Sequence, residues 1–418
     1  MTRLTWFFHF FLRYYRNMGL RVAIYALLAL AVALISPLGA AQVANLLPLE
    51  LTFEAVLPVL TILASSMLAV STFSLSIMVS SHRAAAAATT PRVHRLLLED
   101  TTTQSVFATF IGAFVYALIS IILYRSQFYP EDAALLVMGI TITVAALVVI
   151  SLLRWIDHLK DLGSVDQSLA SAQKKAAETL SAYARTGGFG VVRMTESTIV
   201  PDQVTILKAP KSGFLQLIDV SRLQDCLPGS SAIYIRARPG QHMLEGWPLA
   251  EVSGTVTDED MSQLAAGFTF GSQRTYEQDA EFGLSVLAET ALRALSPGIN
   301  DPGTATLSIA GLKELLWAYG RTEEDPDTDR GTRVFARFAH ADDLMEAAFA
   351  AIARDGAGMI EVALATRQGL AELSHSEHEG IANAAVNMAQ IAAGYCERAG
   401  LSPREAELLQ NVHFARPH

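Results

Sequence analysis

The sequence predicts a two-part molecule: a membrane α-helical part with four transmembrane helices, then a cytoplasmic α+β region in which a small β module precedes an α-helical bundle. Three observations carry this. Four stretches, Val22–Leu47, Val56–Val79, Val106–Leu123 and Ala133–Leu153, contain no Asp, Glu, Lys or Arg, and a hydrocarbon core of roughly 30 Å needs about 20 such residues in a helix. From Val191 to Val252 the pattern shortens to β runs punctuated by Gly and Pro, and from Asp258 onward it is helical. Charge divides at the same place: residues 1–185 carry a net +3 and the remainder −13.

Composition sets the class. Of 418 residues 51% are hydrophobic and 17% charged, against about 25% charged in a typical soluble domain. That excludes a disordered chain. Two cysteines, Cys226 and Cys396, exclude a disulfide scaffold, and in a reducing compartment both are expected as free thiols. Nothing polybasic points to nucleic acid.

Residues 1–20 read as an interfacial amphipathic helix, because Trp6, Phe7, Phe8, Phe10, Phe11, Tyr14 and Tyr15 interleave with Arg13 and Arg16. A cleaved signal peptide has a short basic start without such an aromatic block. The four spans occupy 21–155. Basic residues sit in the N-terminal tail (Arg3, Arg13, Arg16, Arg21), in the second loop (Arg83, Arg92, Arg95) and after the last span (Arg154, Lys160, Lys174, Lys175), whereas the first loop has none and the third only Arg125. Both termini are therefore expected to be cytoplasmic.

The second span holds Thr61, Ser65, Thr72, Ser76 and Ser80. At about 100° per residue these fall within an arc of about 100°, a hydroxyl stripe on one helical face. Such a stripe either lets helices pack closely or lines a polar pathway in a symmetric oligomer. The run Ala84–Ala88 should prolong this helix beyond the bilayer, with Arg83 and Arg92 at the cytoplasmic mouth. No span has an ionisable carboxylate, Lys or Arg, which argues against a proton pump or voltage sensor.

A helical connector is expected at 156–187, ended by Gly187-Gly188-Phe189-Gly190, and the β module at 188–255. The fragments Leu207–Gly213 and Arg238–Leu249 resemble the barrel-sandwich domain of biotinyl and lipoyl carriers. A carrier needs an exposed Lys on a following hairpin, but no Lys occurs between Lys211 and Lys313, so the resemblance supports the β fold alone.

The helical remainder spans 256–418, with helices expected at Val334–Arg354, Gly356–Ala371, His378–Glu397 and Pro403–Asn411. In Arg293-Ala-Leu-Ser-Pro-Gly-Ile-Asn-Asp-Pro302, Pro297 and Gly298 stop one helix, and Asp301 with Pro302 caps and starts the next. Arg274, Asp279, Arg293, Asn300 and Asp301 either converge as a polar site for an anion beside a helix N-terminus, or form a charge-paired helix-turn-helix that locks the fold. His375 and His378, flanked by Glu377 and Glu379, read as a solvated cap rather than metal ligands. There is no Walker loop, dinucleotide fingerprint, HExxH, nucleophile elbow or CxxC, so no enzyme activity, cofactor or metal is expected.

The string Arg293–Pro302, with Arg274-Thr275 and Gln278-Asp279 upstream, the Gly187–Val252 pattern and Phe107–Tyr116, resembles a bacterial family of membrane proteins known as domain of unknown function 2254. Where that family commonly has an aromatic after the Pro, this chain has Gly303. The resemblance implies four spans and a cytoplasmic domain in a bacterial inner membrane, and supplies no catalytic residue. Together these readings lead to a homo-oligomeric channel or passive conduit for ions or small solutes, with the lipid bilayer as its surroundings. The alternative is a membrane-anchored sensor or scaffold whose cytoplasmic part binds a ligand or protein.

Overall fold

The computed structural model describes residues 18–36, 51–88, 90–93, 101–130, 133–159, 164–326 and 331–414. The chain divides into two units, Met1–Ser168 and Leu169–His418. The aromatic block expected as an interfacial helix lies outside the described residues, as does Arg95.

In the first unit four helices follow the apolar stretches: α1 Met18–Ile35, α2 Phe53–Ala88, α3 Thr101–Arg125 and α4 Ala133–Leu159. Three of them, α2, α3 and α4, are long and apolar enough to cross a bilayer; the described apolar run of α1 is the shorter Gly19–Ile35. Cross-helix contacts fix their directions. Arg21, near the start of α1, donates to the Ser105 hydroxyl near the start of α3 (3.2 Å). Tyr129, beyond the end of α3, donates to the Ala33 carbonyl near the end of α1 (2.9 Å). These two helices therefore run parallel. Phe53 at the start of α2 stacks on Tyr124 at the end of α3 (ring centroids 4.6 Å apart), and Trp155 near the end of α4 meets Phe107 edge-on (5.8 Å). Both α2 and α4 thus oppose α3, giving an up-down-up-down bundle.

The central helix is α3, which packs against the other three and buries Phe107, Phe110, Ala113, Tyr116 and Ala117. The Tyr116 hydroxyl bonds the Val137 carbonyl and the Thr141 hydroxyl (3.2 and 3.1 Å), satisfying a polar atom that hydrocarbon would not. Toward this core α2 turns Phe53, Val56, Leu60, Leu63 and Met67, spaced 3-4-3-4 as in helices that pack along their length. The Ala84–Ala88 run continues α2, as the sequence predicts.

The helix α5 Val165–Arg185 begins at the end of the first unit and runs into the second, which continues with β1 Val191–Arg193, β2 Val204–Lys208, β3 Gly213–Ile218, α6 Val220–Cys226, β4 Ile233–Ile235, β5 His242–Met243, β6 Pro248–Ser253, α7 Asp258–Ala265 and β7 Phe268–Gly271. There follow α8 Ala280–Ala294, α9 Pro302–Gly320 and β8 Gly331–Ala336. A continuous helical rod comes next: α10 Ala341–Met345, a π-helical turn Glu346–Ala350 and α11 Ala351–Asp355. The last helices are α12 Ile360–Leu373, α13 Glu379–Ala399 and α14 Pro403–Gln410.

The strands make two sheets, a five-stranded one in the order β1-β8-β4-β6-β2 and a three-stranded one in the order β5-β3-β7. Here the expected helix from Val334 is corrected: residues 331–336 form β8, parallel to both β1 and β4. Val334 and Ala336 are fully buried in the sheet, and that burial outweighs local helical preference. The β region also takes β7 and β8 from beyond residue 256, so its sheets are completed by the segment read as helical. The expected connector is likewise more than a link. It buries Leu169, Ala172, Ala176, Leu180 and Tyr183, and at Ala176 it approaches Gly283 of α8 so closely that a Cβ there would lie 2.5 Å from Ala176 Cβ.

Candidate functional site

The hydroxyl stripe lies along α2, a helix whose core residues define its opposite pole. At about 100° per residue, the mean direction of Thr61, Ser65, Thr72, Ser76 and Ser80 is about 180° from that of Val56, Leu60, Leu63 and Met67. All five hydroxyl residues are exposed in the chain. Four return their hydroxyls to their own helix: Thr61 to Leu57 O (2.8 Å), Ser65 to Thr61 O (2.9 Å), Thr72 to Ala69 O (2.9 Å) and Ser76 to Thr72 O (3.1 Å). Their lone pairs remain on the surface, so these four residues keep the face weakly polar while their own donors are satisfied.

Arg83 falls on the same meridian. With Ser65, Thr72 and Ser76 it lies within an arc of about 40°, and from Thr61 to Arg83 the helix rises about 33 Å, the depth of a hydrocarbon core. Bulky exposed side chains flank the strip, Ile62 and Phe73 on one side, Leu68 and Leu75 on the other. Arg83 and Arg92 are both exposed.

A cavity of about 620 Å³ lies elsewhere in this unit, between α1, α3 and α4. Thr102, Ser105, Thr109 and Tyr116 of α3 line it with Arg154 of α4, and none of the five stripe residues does. Sequence reasoning missed this face. Its signal was the 3-4-7 spacing of polar residues on α3, hidden because the apolar count began at Val106, beyond Thr102 and Ser105.

In the second unit, the five residues of the 274–301 segment do not converge. Arg274 grips Asp279 with two parallel bonds, Nε to Oδ2 at 2.7 Å and Nη2 to Oδ1 at 2.8 Å. Asp279 is only 3% exposed and also caps α8, accepting the Phe282 N–H at 3.1 Å. Arg293 is in the last turn of α8, about 21 Å along the axis from Asp279. Asn300 takes a left-handed conformation (φ 51°). Asp301 caps α9, accepting the Thr304 N–H at 3.0 Å and its hydroxyl at 2.6 Å; these bonds hold its carboxyl below the usual range. The string is thus a helix–turn–helix closed by Asp301 N–H to Ala294 O at 2.8 Å, and the separation removes the single five-residue site.

Residues from two other segments complete the α8 end. Arg238 bonds Asp343 (2.8 Å) and lies 3.5 Å from Glu281. Burial pushes the Glu281 carboxyl up, an effect that Arg238 partly offsets. At Gly240 (φ 89°) a Cβ would collide with the Asp279 carboxylate, so the β module docks on the start of α8 through a residue without a side chain. His378 caps α13, accepting the Ile381 N–H at 3.3 Å. Among the described residues no three His, Cys, Asp or Glu side chains gather as a metal site.

The family model described as "Predicted membrane protein (DUF2254)" matches residues 16–372. This chain belongs to that family. Three curated proteins are similar to it: the uncharacterized proteins Mb1321c of Mycobacterium bovis and Rv1290c and MT1328 of Mycobacterium tuberculosis. Each is 25% identical over 287 residues, covering 65% of this chain and 54% of the relative. The chain therefore spans about half the length of the relatives it matches. No solved structure matches it. The DUF2254 match, with three bilayer-length apolar helices, makes this a membrane protein.

Proposed function

We propose that this DUF2254 protein is a homo-oligomeric conduit of the cytoplasmic membrane for ions or small solutes, gated or filtered by its C-terminal unit. One observation carries the reading. The hydroxyl strip of α2 runs the depth of a bilayer on the pole opposite the helix's own packed face, ends at Arg83, and is left exposed among the described residues. In a symmetric assembly that face would turn to a shared axis, where lone pairs on Ser and Thr would contact passing water and ions. A cytoplasmic position for both termini is supported by the basic residues around the spans. A membrane-anchored sensor or scaffold is the competing reading, and it has the strip packed dry against a neighbouring helix.

The test is ion flux through the purified protein in liposomes, wild type against Ser65→Leu and Thr72→Leu, once both variants have been shown to assemble. Wild type should conduct, and each leucine should abolish or alter conductance. If no ion passes across a range of salts, pH values and membrane tensions, the conduit reading fails and the anchor reading replaces it.

A further inference from the structure

The second unit contains a pocket of about 460 Å³ where the end of α5, β1, the end of α9, the end of β8 and the start of α13 meet. Its floor follows from glycine. Gly187, Gly188 and Gly190 all have positive φ (58°, 106° and 78°), and the Phe338 ring approaches Gly188 so closely that a Cβ there would lie 2.6 Å from it. The chain thereby turns from α5 into β1 and brings aromatic rings around one space. Phe338 forms one wall, while Tyr319 and His378, with ring centroids 5.9 Å apart, form another.

The polar lining consists mainly of donors. Arg193 holds its guanidinium over the Phe338 ring, 5.6 Å from the centroid, and makes no ion pair among the described residues. The Tyr183 hydroxyl accepts the Ala339 N–H at 2.9 Å, which leaves its own hydrogen available to donate. Burial raises the pKa of Tyr183 and, against the pull of Arg193, that of Tyr319, so both stay protonated. His378 Nδ1 accepts the Ile381 N–H, which puts the neutral ring's hydrogen on Nε2. Among the described residues the pocket's one carboxylate is Glu324, exposed in the lining.

We infer that this pocket binds a small aromatic carboxylate, its ring held between the aromatic walls and its carboxylate on Arg193 and the tyrosine hydroxyls. One cation opposed by one lining carboxylate suits a single negative charge better than a phosphate dianion. Cation–π placement pre-positions the guanidinium for a paired bond to a planar carboxylate. The volume lies within the range of small-molecule sites, about 300–1,000 Å³. This site stands apart from the conduit reading and survives its failure.

The test is calorimetric titration of the full-length protein in detergent with benzoate, nicotinate and adenosine monophosphate. At least one aromatic carboxylate should bind saturably, once per chain, and more tightly than the nucleotide. Arg193→Ala should weaken that binding at least about tenfold, Arg193→Lys should recover part of it, and Tyr319→Phe, which keeps the ring, should weaken it several-fold. Circular dichroism establishes that each variant is folded. Absence of saturable binding by either carboxylate, binding indifferent to Arg193→Ala, or tighter binding of the nucleotide would overturn the assignment.

Discussion

Asp279 and Asp301 are both helix-capping aspartates, and their surroundings give them different energetic weights. Asp279 is buried and gripped by Arg274 through two bonds. Removing its carboxylate leaves a half-buried guanidinium unpaired, so Asp279→Ala should cost about 3–5 kcal/mol, measurable as a lower midpoint of chemical unfolding. Asp301 is exposed, and Asp301→Ala should cost about 1 kcal/mol, the usual value of an N-cap. The pH behaviour follows from its lowered carboxyl. That stabilisation is complete above the ordinary value of 3.8 and is lost as pH falls through the lower folded value. The difference between wild type and Asp301→Asn should therefore persist at neutral pH and close in strong acid, a trend that unfolding curves at several pH values would resolve. The Asp301 cap was legible in the sequence because capping is local, whereas Asp279 was read there only as a member of a polar cluster. Arg238, Glu281 and Asp343 were not legible as a group, because they meet only when residues 105 positions apart are folded together.

Among the elements, those whose signal is periodic were read well. The Leu169 and Ala172 stripe of α5 and the apolar runs of α2, α3 and α4 appear where the periods put them. β8 was misread because Arg333-Val-Phe-Ala336 is compatible with either structure, and only β1 and β4 on its two sides decide for a strand. The same dependence on neighbours governs α5 and α8. With Gly283 set against Ala176, Gly283→Val must push the two helices apart. We expect a loss of about 1–3 kcal/mol from overpacking, seen as a lower thermal midpoint. Reducing the opposing residue, Ala176→Gly, should recover part of it, whereas a substitution at Gly298, where a Cβ meets nothing within 4 Å, should show no such rescue.

Across the whole molecule, the conduit reading requires several copies, and α2 makes that requirement measurable. With Cys226 and Cys396 replaced by Ser, a cysteine at Ser65 or Thr72 should cross-link copies in the membrane under oxidation. A cysteine at Leu60, fully buried in the bundle, should not. Dimers from Leu60→Cys, or none from the stripe, would count against a shared axis lined by these hydroxyls. The five-stranded sheet has a different consequence, one of timing. β8 sits between β1 and β4 although the chain reaches it about a hundred residues after β4. Until then β1 and β4 have a gap between them and face it with unpaired backbone. As the polypeptide emerges from the ribosome, the sheet therefore stays open until residue 336 is available, and translation stalled earlier would leave adhesive strand edges for chaperones to shield.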